Sequence, residues 1–249
     1  NAPGVSLKSR EVATTHYLIF NCQRAPFSNR QARRWLLGRM GRLELVQRVA
    51  GSVAIPARNT YSRLARDYDF GLLRIPQEPI DPPAAPGRSI VILLHNTTVQ
   101  RWPYLDLAQA IHQVLAQAGL AAEIQVAETG LYYQAYQKGA FDLAMTPNTL
   151  MTGDPDFFYS YYLASDAPSN PGWRNSRADR LIAAARREMN PRKRRELIRG
   201  VEEIVNQETP LWPLFHERAL YAYGSGVKEL TMDYFFRPDL LAARPVEKD

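Results

Sequence analysis

The sequence of 249 residues has a single cysteine, Cys22, so an internal disulfide and a cysteine-rich zinc site are both excluded. Histidine is scarce too. His16, His95, His112 and His216 show neither H-x-H nor H-x-x-x-H spacing, which leaves no preformed transition-metal site. No run of about 18 apolar residues is present to cross a bilayer as a helix. The phosphate-cradling glycine motifs and the G-x-S-x-G elbow are missing, and Cys22 has no histidine that the sequence pairs with it, so nothing points to nucleotide binding or nucleophilic catalysis. The start, Asn1 to Ser9, shows no basic segment followed by an apolar core, so no secretory signal is visible. Residues 1–13 read as an N-terminal extension, with Asn1 and Ala2 left over from cloning.

The charge is uneven. Lys and Arg number 31 against 25 Asp and Glu, and residues 1–75 hold 13 basic and 4 acidic side chains, +9, leaving −3 for the rest. Arg30, Arg33, Arg34, Arg39, Arg42 and Arg48 lie among apolar residues at helical spacing, the pattern of a solvated helix face rather than of a nucleic-acid patch. Arg192 to Arg195 and Arg199, interleaved with Glu196, Glu202 and Glu203, read the same way. No nucleic-acid partner is expected.

Tyr17–Asn21 (YLIFN) reads as a buried strand. Asn29 is placed to cap a helix carrying Ala32, Leu36 and Met40, and a second short helix carries Leu45, Val46 and Val49. Five prolines between Ile75 and Ser89 make an extended connector. Beyond it the pattern becomes regular. Ile90–Leu94 (IVILL) is continuous, as in a strand covered on both faces. A helix through Leu107, Ile111 and Leu115 closes at Gly119, a strand follows at Ile124 and Val126, Tyr132, Tyr133 and Tyr136 ride a short helix ended by Gly139, and Phe141–Met145 is a third strand. Alternating strand and helix predicts an α/β fold with a mainly parallel sheet whose ligands sit beyond the C-terminal strand ends.

The next stretch, Thr146–Trp173, is a long loop rich in Pro, Gly, Asn, Asp and Tyr, and it is the primary site candidate. Asp154-Pro155-Asp156 is compatible with paired carboxylates for acid–base work, but Asp before Pro starts turns and Asp after it caps helices, which gives a formed loop without chemistry. The density of Tyr159, Tyr161, Tyr162 and Trp173 suits a small-molecule pocket or core packing. Two amphipathic helices follow. One is capped by Ser176 and carries Leu181, Ile182, Ala185 and Met189; the other opens at Asn190-Pro191 and carries Ile198, Val201, Ile204 and Val205. Ala219–Tyr223 reads as a last strand.

In order and spacing these features resemble the extracytoplasmic solute-binding proteins of peptide, opine and nickel ABC importers. The resemblance rests on Phe20-Asn21, Pro26-Phe27, Asn29–Arg33 (NRQAR), Ser52–Ala57, Ala118–Leu120, Tyr133–Leu143, the Asp154–Phe158 loop, Asn170–Ile182 (NPGWRNSRADRLI), Arg194–Leu214 and Gly226–Leu230. It implies a periplasmic-binding-protein-like lobe of type II, half of a two-lobed receptor that closes over a ligand. Residues 14–210 would be lobe two, including the 75–89 connector, and 211–249 would return toward lobe one. The resemblance further implies a non-enzymatic protein without a cofactor, monomeric and extracytoplasmic. It would be held to the membrane only through a lipid anchor outside this chain, and would deliver a small molecule, short peptide or nickel chelate to an ABC transporter permease. Asn148, Thr149, Met151, Asn170 and Trp173 are the expected ligand contacts and Asn21 the expected hinge. Peptide-binding members place an Asp before the D-P pair; Met151 stands at that spacing here, and a thioether cannot pair with an ammonium group. A second reading makes the lobe the sensor domain of a cytoplasmic transcription regulator.

Overall fold

The computed structural model describes residues 4–40, 48–51, 54–57, 59–62, 64–74, 80–241 and 243–245. Six strands form one sheet: β1 (Val5–Phe20), β2 (Ala54–Pro56), β3 (Ile90–His95), β4 (Ala122–Ala127), β5 (Leu143–Thr149) and β6 (Leu211–Gly224), in the order β2-β6-β1-β5-β3-β4. A separate pair joins β7 (Val227–Glu229) to β8 (Arg244–Pro245). The helices are α1 (Arg30–Arg39), α2 (Asn96–Arg101), α3 (Tyr104–Gln117), α4 (Thr129–Gln137), α5 (Ser176–Arg187) and α6 (Pro191–Glu208).

The β3-α3-β4-α4-β5 stretch forms the expected parallel unit, with β3 between β4 and β5. The rest of the sheet is antiparallel, because β1 runs against both β5 and β6, and β2 runs against β6. The sheet is therefore mixed rather than mainly parallel. The reason lies in two long strands: β1 enters before the alternating unit begins and β6 leaves after it ends, and neither is joined to the unit by the one-helix crossover that keeps consecutive strands parallel.

Both faces of the sheet are covered, and period-two alternation sorts the side chains. Leu18, Phe20, Ile92 and Leu94 face α1 and α3 through Leu36, Leu107, Ile111 and Leu115. Tyr17, Ile19, Val91 and Leu93 face the other way, toward Ile182, Ile198 and Val201 of α5 and α6. Pro213 sits inside β6, opposite Tyr17 where the β1–β6 register shifts, a bulge that spares the missing N–H. Residues 211–217 are almost entirely buried in this sheet, so the boundary expected at 210/211 falls inside the folded unit. From Val5 to Glu11, β1 pairs with Arg218–Gly224 as an exposed two-stranded ribbon beyond the sheet.

Several caps follow the sequence. Asn29 accepts from Gln31 N and Asn190 from Arg192 N and Lys193 N. Asn175, not Ser176, caps α5, accepting from Arg177 N and Ala178 N; Ser176 is the first helical residue. Arg33 departs from the solvated face expected of it. It is buried, and its guanidinium donates to Glu208 O, Thr209 O and Phe27 O, tying α1 to the carbonyl end of α6. Arg42, Leu45, Val46, Ser52 and Val53 lie outside the described residues, as do 75–79 of the connector.

Candidate functional site

A cleft of about 500 Å³ opens at the C-terminal ends of β3 and β5. Its floor begins with His95, the last residue of β3, whose Nδ1 accepts from Thr97 N at 3.1 Å and so caps α2. That bond puts the proton of the neutral ring on Nε2. One wall is α4, which presents Tyr132, Tyr133 and Tyr136 on adjoining helical positions. The opposite wall is a short α turn, Asp156–Phe158, continuing as a π-helical turn, Tyr159–Leu163, which supplies Phe157, Tyr161 and Tyr162. The end of β5 closes the site with Thr146, Asn148 and Thr149, and Met151 stands at its rim, 61% exposed.

The rings pack edge to face: Tyr132 on Tyr133 at 5.5 Å, Tyr161 on Tyr162 at 4.8 Å, and His95 on Tyr132 at 5.0 Å. Thr146 Oγ1 lies 3.4 Å from the Tyr162 hydroxyl, and the Asn148 side chain also reaches that phenol. Burial pushes the Tyr132, Tyr136 and Tyr162 phenols above the ordinary tyrosine value, so all three stay neutral donors. No Asp, Glu, Lys or Arg is among the described residues that line the cleft. The nearby acids are occupied elsewhere. Arg194 grips Asp154 with two bonds of 2.7 and 2.8 Å, and Arg186 takes Asp156 at 2.6 Å. Asp154 Oδ1 also accepts from Asp156 N, the turn-forming role that the D-P-D spacing suggested.

Of the expected contacts, Asn148, Thr149 and Met151 line the cleft. Asn170 does not: its Nδ2 donates to Leu163 O and Ala164 O, and it borders a separate recess of about 230 Å³. Trp173 is buried in the core under α5 and α6, where its Nε1 donates to Glu208 Oε2 at 2.7 Å. Asn170 and Trp173 follow the Asp156–Leu163 turns and are held by the carbonyls of Leu163 and Ala164 and by Glu208, contacts that linear spacing does not reveal. Asn21 is misplaced as well. Its Nδ2 donates to Gly139 O and Phe141 O, closing the sheet where Phe20 pairs with Leu143, the end of β5 remote from the cleft. The ribbon leaves at the other end, beside the Thr14–Thr149 pair, whose hydroxyls lie 2.8 Å apart.

His95, Thr98, Tyr133 and Phe157 are lining residues that the sequence did not single out as contacts. The available signal was the rule that parallel strands bind at their C-terminal ends, applied to the residue after IVILL. Among the described residues no group of three or more His, Cys, Asp or Glu side chains is placed to hold a metal. Cys22 is inert: burial pushes its thiol up to about 11.

A sheet covered by helices, with a one-sided cleft at its strand ends, is the fold of the type II periplasmic-binding-protein class. The chain belongs to the bacterial extracellular solute-binding proteins, family 5, whose middle-region model matches residues 1–170. It is 24% identical over 235 residues to the di/tripeptide-binding protein 3 of Pseudomonas aeruginosa strain UCBPP-PA14, covering 89% of this chain and 44% of that protein. It superposes on the dipeptide-binding protein of Pseudoalteromonas sp. SM9913, solved with Met-Leu, with a TM-score of 0.78 at 19% identity, covering 99% of this chain and 51% of that one. A nickel ABC transporter structure from Bacillus halodurans gives 0.73 at 16% identity, covering 94% and 53%. The chain spans about half the length of the relatives it matches. Those relatives are named as binding or transport proteins rather than as enzymes.

Proposed function

We propose that this chain is the ligand-binding second lobe of a solute-binding protein that captures a small, peptide-like solute and hands it to an ABC importer permease. The observation that carries the reading is the cleft with a ribbon rising from its rim. Thr149 lines the cleft and pairs with Thr14, and beyond two buried residues β1 continues as Val5–Glu11, seven residues paired with β6 and largely exposed. A ribbon leaving the rim is placed to lead to a second lobe that closes from above, since domain closure buries a ligand between two walls. On this reading 14–224 folds as one unit, and the residues after it return toward the other lobe. The protein works outside the cytoplasm as a monomer, held to the membrane by a lipid anchor outside this chain, and catalyses nothing. A nickel chelate is the weaker ligand class, because the cleft offers one imidazole, His95, and its Nδ1 is already engaged by Thr97. The regulator reading gains nothing from a family model that describes extracellular proteins.

The test is native mass spectrometry of the whole protein carrying this chain, purified without denaturation, followed by calorimetric titration with a dipeptide set. A co-purified solute displaced by a member of the set is the expected result. Tyr133→Ala, on the exposed wall, should weaken the interaction by about tenfold. A protein that retains no solute and takes up none of the set would defeat the reading.

A further inference from the structure

Resting on that reading, we infer that Arg194, which does not itself line the cleft, positions the ring-bearing wall opposite α4 and so sets how tightly a ligand is held. That wall, Asp156–Leu163, is a short α turn followed by a π turn. A piece this short gains little from helix propagation, so its direction has to come from outside it. Its rear is apolar: Phe158 and Leu163 are fully buried, and Phe158 stacks on Tyr17 at 4.8 Å. Burial of that kind fixes the depth of the turn but has no direction of its own. Polar anchors therefore decide which way Phe157, Tyr161 and Tyr162 point.

Arg194, in the first turn of α6, is the anchor that joins the most elements. Its Nη1 and Nη2 donate to the two oxygens of Asp154 at 2.7 and 2.8 Å, Nη1 also donates to the Tyr68 hydroxyl at 2.7 Å, and Nε donates to Ala185 O at 3.0 Å. Ala185 lies in the last turn of α5, where a carbonyl has no partner within the helix. One planar group thus ties α5, α6, the segment at Tyr68 and the residues just before the wall. Its side chain is 18% exposed against 40% for Arg186, the other arginine on this turn, so water competes less for its bonds. Asp154 passes the constraint on. Its Oδ1 accepts from the amide of Asp156, the first residue of the wall, at 2.8 Å, and Tyr159 N donates to Pro155 O at 3.0 Å. The rings beyond it form an ordered array, Phe157 parallel to Tyr161 and Tyr161 edge-on to Tyr162. A lysine at 194 keeps the charge but lacks the fork that holds both oxygens of Asp154 while reaching two further acceptors.

The experiment is hydrogen–deuterium exchange, read by mass spectrometry, on the whole protein carrying this chain, unaltered and as Arg194→Lys, Asp154→Asn and the double variant. α4, which carries the opposite wall, is the internal reference, because a general loss of stability speeds exchange in both walls whereas lost positioning speeds it in one. Arg194→Lys should raise exchange in 156–164 by about tenfold and leave α4 unchanged. The double variant should exchange no faster than the faster single one, since both substitutions break the same joint. Calorimetric titration with Phe-Phe, or with the co-purified solute of the preceding experiment if Phe-Phe is not bound, should show affinity falling by about fivefold in Arg194→Lys. Unchanged exchange in 156–164, an equal rise in α4, or faster exchange with unaltered affinity overturns the inference. With no solute of either kind bound, the solute-binding reading falls by itself, and the exchange contrast still decides whether Arg194 positions the wall.

Discussion

The two ends of β5 are built on opposite terms. Just before its start, Asp142 is fully buried and fully used: Arg88 donates to both of its oxygens at 2.6 and 2.7 Å, the Val91 amide donates at 2.8 Å, and Arg24 approaches to 3.7 Å. At its far end, Thr146, Asn148 and Thr149 face a cavity, with no charge among their lining neighbours. One end is architecture, where both oxygens of the buried carboxylate are taken up by donors of the fold. The other is a surface kept neutral and partly exposed. A carboxylate near a strand end is therefore no sign of a site in this fold; the unspoken-for aromatic surface is.

The largest expected effect breaks the first end. Asp142→Ala leaves the buried Val91 amide without its acceptor and removes both carboxylate bonds of the part-exposed Arg88, and should cost about 3 kcal/mol in urea denaturation, whereas Thr149→Ala at the other end should cost under about 1 kcal/mol. Equal costs would erase the distinction between the ends. A second pair separates the expected contacts. Trp173→Phe removes an indole bond to Glu208 and should lower stability by about 1.5–3 kcal/mol while leaving ligand affinity in place. Met151→Ala should do the reverse, changing affinity and moving stability by no more than about 0.5 kcal/mol.

The smallest effect is a slope, and it belongs to the base of the ribbon. His16 is fully buried, with Nδ1 2.8 Å from the Tyr104 hydroxyl and Nε2 3.4 Å from Glu217, which Arg101 also approaches. Phe215 stacks on the ring and Trp102 meets it edge on. Burial holds this imidazole below its ordinary 6.5 despite Glu217. The unfolded chain therefore binds the proton first, so stability is full above 6.5 and declines as pH falls below it. His16→Gln should flatten that decline in a series of urea midpoints. An unchanged slope would mean that the ring ionises freely, and that the ribbon base is as open as the cleft.

Much of the fold was legible because local rules and burial agreed. IVILL announces a strand covered on both faces, and the side-chain oxygens of Asn29 and Asn190 cap their helices by accepting from amides two residues ahead. The Asp154-Pro155-Asp156 turn was legible for the same reason, since Asp154 bonds two residues ahead. The antiparallel half of the sheet was not: only the C-terminal part of β1 has an apolar pattern, and its exposed half is specified by pairing with β6, more than 200 positions away. The site was half legible. Asn148 and Thr149 could be found because β5 leads straight into them, while Asn170 and Trp173 lie after a turn whose direction is set by packing against α5 and α6.

By itself the sequence determined the strand–helix alternation, the caps and the tyrosine-rich character of the loop, because each depends on residues within a few positions of one another. Only the tertiary structure decided which arginine is buried, which tryptophan belongs to the core and which end of the β1–β5 pairing borders the cleft. Those outcomes depend on contacts between distant segments, and no local preference of the chain encodes them.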